Sequence, residues 1–320
     1  MWLLCLALGM CPVGARHCIT NMDLPKFIQA NVSLKEYNTW KVGGVAEFLS
    51  LPNTVEDIKT SINWAKENKY EITLLGDGSN VLIHDEGIKG LVICLKKING
   101  VEGTEENGNL KIECWAGSSK AEALKIFLKY KLSPALFLTG LPGNIAGGVV
   151  MNAGVGEQRV PREFCEIVEW VDVLRPESLE IERVKASDIN WSYRTSKGWQ
   201  PGIVVKVGLI WPLNPEHPEI MKEIKKATRN RIMKQPINQP SCGSVFRNPK
   251  PQSSGALIEG AGLKGFSIGG AQVSKKHANF IVTEPGAKAS DVDLLIKHVQ
   301  KTISEKHSID LHTEVVYLGY

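Results

Sequence analysis

Cysteine is scarce in this chain: 7 of 320 residues, an odd number, with no Cys-x-x-Cys and no His partner at zinc spacing. That excludes a disulfide framework and a zinc module, predicts no metal, and fits a reduced, cytoplasmic protein. Cys94, Cys114 and Cys165 stand in strand-like apolar runs and read as small buried hydrophobes. Long apolar runs are lacking too. Residues 1–10 are mostly apolar but too short to span a bilayer as a helix, so no membrane insertion is expected. They also lack the basic start of a secretory signal, the first cation being Arg16. Residues 1–22 are therefore expected to lie outside the working protein, with Met22 a candidate start. N-terminal mass analysis of the natural protein checks this, and a chain beginning at Met1 or cut after Ala15 refutes it. An excess of one charge is missing as well. The net charge of +4, from 38 basic and 34 acidic residues, is too weak to predict a nucleic-acid partner.

What remains is an ordinary globular composition, 43% apolar and 22% charged, with a mean hydropathy of -0.10. The basic charge is concentrated: residues 214–308 hold 15 Lys and Arg against 8 Asp and Glu. Such a region suits an anionic substrate or a phosphorylated coenzyme. It is also compatible with a solvated helix face, because Lys222, Lys225, Lys226, Arg229 and Arg231 fall on one predicted helix. Glycine is in excess, 30 residues, and clusters in the windows 140–156 and 255–270. Clustered glycine marks backbone bent into positive φ or brought close to another group.

Hydrophobic periodicity alternates strands and helices. Strands are predicted at 46–51, 71–75, 90–95, 110–116, 167–174, 179–184, 202–211, 278–283 and 309–318. Asn53 or Thr54 caps a helix with the stripe Val55, Ile58, Ile62 and Ala65. A second helix carries Ala121, Leu124, Phe127 and Leu128, a short one lies near 256–260, and Ser290 is expected to cap a long one to 305. Pro212, Pro215 and Pro218 suggest a domain boundary. The fold class is α+β with two domains: 23–213, then 214–308, with 309–320 returning to the first.

Gly76-Asp77-Gly78-Ser79-Asn80 follows a predicted strand, as a phosphate-cradling turn should. It fails the dinucleotide fingerprint, since Val81 and Leu82 follow in place of a glycine and open a strand; a plain turn is the competing reading. Thr139-Gly140-Leu141-Pro142-Gly143-Asn144-Ile145-Ala146-Gly147-Gly148, leading to Met151-Asn152-Ala153-Gly154, suits a helix N-terminus aimed at a diphosphate. With Asn38-Thr39-Trp40-Lys41-Val42-Gly43-Gly44 ahead of them, these segments resemble the FAD-binding domain of the UDP-N-acetylenolpyruvoylglucosamine reductase (MurB) family, within the vanillyl-alcohol-oxidase-like (PCMH-type) flavoproteins. The resemblance runs from about residue 24 to the C-terminus. It implies that Gly76, Gly78, Ser79 and Asn80 hold the FAD diphosphate and that Gly140, Gly143, Gly147 and Asn152 line the same cofactor. Gly154-Val155-Gly156-Glu157 departs from the family, which usually has an aromatic before the second glycine.

Reducing an enol ether beside a carboxylate requires a hydride at one carbon, a proton at the other and a partner for the enolate between the two steps. Three segments hold suitable groups: Arg194 in Trp191-Ser192-Tyr193-Arg194-Thr195-Ser196, Ser244 in Pro240-Ser241-Cys242-Gly243-Ser244-Val245-Phe246-Arg247-Asn248-Pro249, and Glu314 in Asp310-Leu311-His312-Thr313-Glu314-Val315. Each alone reads as well as a surface or turn residue. The resemblance implies that Ser244 is the proton donor, that Arg194 and Glu314 polarise the substrate carboxylate, and that Tyr193 lies beside the substrate. Cys242 has no visible base and reads as packing. The runs 257–265 and 272–280 also match the family closely, and the glycines at 255–270 read as structural turns. The resemblance further implies NADPH as reductant, a UDP-sugar substrate, no obligate protein partner, and the shorter family variant, because 214–308 is compact. An oxidase of the same flavin group and a flavin-binding protein without catalysis are the alternatives. No histidine lies in the two glycine segments at 76–80 and 140–148, where an oxidase could attach its flavin.

Overall fold

The computed structural model describes residues 24–155 and 160–320. The expected N-terminal extension, and Gly156 and Glu157 of the segment that departs from the family, lie outside the described residues. In chain order the elements are β1 Ile28–Ser33, β2 Val45–Ser50, α1 Val55–Glu67, β3 Ile72–Leu75, β4 Val81–Ile83, β5 Ile88–Cys94, β6 Val101–Glu106, β7 Asn109–Trp115, α2 Lys120–Lys129, α3 Pro134–Leu138, α4 Ile145–Val150, β8 Val168–Leu174, β9 Ile181–Lys185, β10 Asn190–Ser192, β11 Thr195–Lys197 and β12 Ile203–Pro212. Then follow α5 Ile220–Lys234, α6 Ser254–Gly260, β13 Ser267–Ile268, β14 Ala271–Val273, β15 Ile281–Thr283, α7 Ala289–His307 and β16 Val316–Leu318.

Two sheets build the first half. One has the order β1-β2-β5-β3 with β2, β5 and β3 parallel, and the other is the antiparallel β6-β7-β12-β8-β9. Strand β5 is apolar at nearly every position because both of its faces are covered. Leu91 and Ile93 point into a large core shared with α1 and the second sheet, while Val92 and Cys94 point into a smaller core on the other face. Strand β7 alternates instead, burying Leu110, Ile112 and Cys114 on one face. Helix α1 begins at a capping box in which the Asp57 N–H donates to Thr54 Oγ1 at 3.1 Å and Thr54 N–H donates back to Asp57.

A third core surrounds α7 and takes Trp40, Val42 and Leu82 from the first half. Trp40 Nε1 donates to the Ile281 carbonyl at 2.7 Å, and Thr283 Oγ1 donates to the Trp40 carbonyl at 2.6 Å. Buried indole and hydroxyl groups thus seam the two halves together.

Several expectations shift. Ser290 does not cap α7; Lys288 holds the cap position, and the N–H groups of Ala289 and Ser290 donate to Asp85 at 2.7 and 2.9 Å. The cap is supplied from 204 residues away, which no local pattern reveals. In α2 the buried apolar residues are Ala123 and Phe127, and Ala121 faces solvent. Cys165 sits half-buried in a short turn, whereas Cys94 and Cys114 are buried as expected. The terminal strand is only Val316–Leu318, paired in parallel with β4; upstream, Leu311 and Val315 anchor an irregular segment in the third core. Beyond the prolines, α5 buries Ile220 in the first core and packs Ile224 and Ala227 against it. It belongs physically to the first half, although composition changes at 213/214.

Candidate active site

The glycine and asparagine segments converge although they are far apart in sequence. Turn 76–80 lies on segment 37–39, where the Thr39 N–H donates to the Gly78 carbonyl at 3.1 Å. Gly78 has φ +65, and a Cβ there would collide with the Tyr37 carbonyl. On its other side the turn meets loop 140–144. Gly143 has φ +85, and a Cβ on it would lie 2.6 Å from Ser79 Oγ. Only glycine combines that φ with that approach. A Cβ on Gly76 would lie 2.8 Å from Asn144 Nδ2. Asn144 Oδ1 accepts the Gly147 N–H at 2.9 Å and caps α4, a helix of only 6 residues.

The remaining expected cofactor residues divide. Gly140 and Gly147 lie on this loop and its helix, Gly140 against the guanidinium of Arg231. Arg231 is thus the member of the basic helix that reaches the site, and Lys222, Lys225, Lys226 and Arg229 are solvated. Asn80 turns away from the loop: its Nδ2 donates to the Glu314 carbonyl at 3.0 Å and its own carbonyl accepts the Val316 N–H at 3.0 Å. Asn152 departs from expectation. It is fully buried, its amide hydrogens are given to Glu163 and the Ser192 carbonyl, and its oxygen accepts the Cys165 N–H. With both donors committed it is an internal strut.

The three candidate catalytic segments also meet. Hairpin β10–β11 closes on Tyr193 and Arg194, and Arg194 has φ +56. A non-glycine residue in that region persists only where surrounding contacts hold it. Here Arg194 Nε donates to Glu314 Oε1 at 2.6 Å, Nη2 donates to the Gly154 carbonyl at 3.3 Å, and the guanidinium lies 4.7 Å from the Tyr193 ring. The side chains of Arg194 and Glu314 are only 16% and 13% exposed, so this is no ordinary surface pair. Tyr193 itself is exposed. Ser244 follows Gly243, whose Cβ position is open space. The next residue is clamped: the Val245 N–H donates to Asn279 and the Val245 carbonyl accepts the Glu314 N–H, both at 2.8 Å. Asn279 also bonds both backbone groups of Phe246. Ser244 and Glu314 are thereby fixed one residue apart along a shared backbone hydrogen bond. Cys242 is buried, and burial followed by the Glu314 charge pushes its thiol well up, which leaves it inert packing.

Sequence reasoning did not single out Lys120, Asn144 or Asn279, and it named Arg231 only as one of the cations on the basic helix. For Lys120 a signal existed: a cation at the first position of α2, where the helix dipole favours an anion. Its Nζ, buried beneath loop 140–144, donates to the Pro142 carbonyl at 2.5 Å. Burial also lifts the carboxyl of Asp77 above its ordinary range, against the opposing pull of Lys96 and Lys120. Asn144 Nδ2 is a buried donor with no partner among the described residues. A buried cation, an orphaned donor and closely approaching glycine backbone form a donor set suited to a diphosphate, so the residues present fit FAD. Among the described residues no cluster of His, Cys, Asp or Glu is placed to hold a metal, and no helix is long and apolar enough to cross a membrane.

Comparison with known proteins agrees with this geometry. Residues 46–182 match the FAD binding domain family model, and residues 235–318 match the UDP-N-acetylenolpyruvoylglucosamine reductase, C-terminal domain. The UDP-N-acetylenolpyruvoylglucosamine reductase of Synechococcus sp. (strain RCC307) is 37% identical over 93% of this chain and 97% of its own. That of Halalkalibacterium halodurans is 37% identical over 91% of this chain and 94% of its own. The crystal structure of UDP-N-acetylenolpyruvylglucosamine reductase (MurB) from Thermus caldophilus superposes with a TM-score of 0.72 at 30% identity, covering 91% of this chain and all of that one. On the matched segments and on identity across nearly its whole length, the chain belongs to the UDP-N-acetylenolpyruvoylglucosamine reductase family.

Proposed function

We propose that the protein catalyses NADPH-dependent, FAD-mediated reduction of UDP-N-acetylenolpyruvoylglucosamine to UDP-N-acetylmuramate, a peptidoglycan precursor, and thereby serves cell shape and division. The observation that carries this reading is the Arg194–Glu314 ion pair joined to Ser244 through the Val245 backbone. When bound, FAD carries the hydride that NADPH supplies to the enolpyruvyl double bond. Arg194 stays charged throughout turnover and binds the substrate carboxylate, where negative charge builds as the double bond is reduced. Glu314 takes Nε and so sets the direction in which the rest of the guanidinium points. Ser244 delivers the proton to the second carbon from a loop whose position Asn279 fixes. Tyr193, exposed beside Arg194, borders the substrate.

Residues 23–213 with α5 serve the cofactor, the remainder of 214–308 serves the substrate, and 309–320 completes the shared site, in the arrangement of the shorter family variant. Both NADPH and a nucleotide sugar are cytoplasmic metabolites, which is where the enzyme acts, without an obligate protein partner. The test is anaerobic. NADPH should bleach the bound flavin, the enolpyruvyl sugar nucleotide should restore its colour, and mass analysis should show product two hydrogens heavier. Bleaching without restoration, or no turnover with this pair, overturns the reading.

A further inference from the structure

An ammonium group taken out of water ordinarily requires a carboxylate or several acceptors beside it. Lys120 is 5% exposed, forms no ion pair among the described residues and has one hydrogen-bond acceptor. Its Nζ donates to the Pro142 carbonyl, the Phe164 ring centroid lies 5.6 Å away, and Asp77 is the one opposing charge that acts on it among the described residues. Burial pulls its pKa down to about 8, with Asp77 acting in the other direction. The cation thus has no counter-ion in contact with it among the described residues. Asn144, 2% exposed, is short of an acceptor for its Nδ2. Both groups lie at one seam. A Cβ on Gly143 would sit 3.6 Å from Lys120 Nζ and 2.6 Å from Ser79 Oγ, and a Cβ on Gly76 would sit 2.8 Å from Asn144 Nδ2.

We propose that Lys120, assisted by Asn144, anchors the diphosphate of FAD and sets the preference for FAD over flavins that lack a diphosphate. The inference rests on the FAD reading and assigns the charge balance of that site to one side chain. A bound diphosphate supplies the missing anion to Lys120 and the missing acceptor to Asn144, so each buried group is satisfied only when that ligand is present.

The experiment uses protein stripped of flavin and titrated separately with FAD and riboflavin, each followed by quenching of flavin fluorescence. Lys120→Met should weaken FAD binding about 10- to 100-fold, the range for a lost charge-assisted hydrogen bond, and leave riboflavin binding within about twofold. Apoprotein melting should hold or rise, because a buried charge with no counter-ion in contact has been removed. If Lys120→Met fails to fold, Lys120→Gln, neutral and shorter, provides the same comparison. Equal loss for FAD and riboflavin indicates a packing role and overturns the proposal, as does unchanged FAD affinity. If wild-type apoprotein binds neither flavin, the cofactor reading falls with it; wild-type binding with an indifferent variant overturns the Lys120 assignment alone.

Discussion

Replacing Ser244 by alanine separates chemistry from folding. Among the described residues the Ser244 hydroxyl makes no hydrogen bond, and the loop is held by backbone and Asn279 contacts that alanine keeps. Losing this partly exposed hydroxyl should change stability by less than about 0.5 kcal/mol. Losing a positioned proton donor should slow the step it serves by about 10²- to 10⁴-fold, or about 3–5 kcal/mol of barrier. The two effects differ roughly tenfold in energy, so one variant distinguishes them. In anaerobic stopped flow, NADPH should bleach the flavin at close to the wild-type rate, while recovery with the enolpyruvyl substrate should collapse. Ser244→Cys should restore part of the recovery, since a thiol gives up a proton more readily than a hydroxyl. Equal slowing of both half-reactions, or a melting temperature lowered by several degrees in parallel, would mean that Ser244 is not the proton donor.

Other perturbations address separate parts of the structure. Glu314→Gln keeps an acceptor for Arg194 Nε but removes the charge, and should cut kcat/KM by at least about 10²-fold in steady-state assay while NADPH-driven bleaching persists. Gly143→Ala forces a side chain into φ +85 and toward Ser79 Oγ; the purified variant should be colourless or nearly so, measured as flavin per chain. Asp85→Ala removes the cap of α7 and should cost about 1 kcal/mol in urea denaturation at neutral pH, the lower part of the capping range because this carboxylate is exposed. Burial draws the Asp85 carboxyl upward, but the N–H groups of Ser290 and Ala289 outweigh it and hold the pKa below the ordinary aspartate range. With the folded pKa depressed, the stabilisation is complete above about pH 4 and is lost as pH falls through the folded value. The gap between wild type and Asp85→Ala should therefore close below pH ~4, and a gap that is constant with pH would contradict it.

Most of the regular fold was legible because periodicity is local. Alternation in β7 and the 3–4 spacing in α1 report a buried face without reference to what covers it. The short strands β4, β10, β11, β13 and β14 were not legible, since 2 or 3 residues carry no period, and neither were β1 and β6, whose residues are mostly exposed. Glu314 was visible only as a residue type in a matching motif. As a terminal strand residue it should face solvent, yet the strand stops short and the segment turns it toward Arg194.

Residue types settle which chemistries are available: glycine-rich backbone able to approach an anion, a permanent cation, a hydroxyl and a carboxylate, in segments with a shared family resemblance. Tertiary structure alone decided which of these groups meet. Arg194 reaches Glu314 across 120 residues, Asn80 reaches the same residue across 234, and Asp85 caps a helix 204 positions later. It also decided that Asn152 is sealed inside the protein while Lys120, unremarked in the sequence, lies at the seam with no counter-ion in contact. The reason is physical. A side chain's identity fixes what it can donate or accept, but its charge partners and its access to water depend on chain segments brought together only by burying a common core.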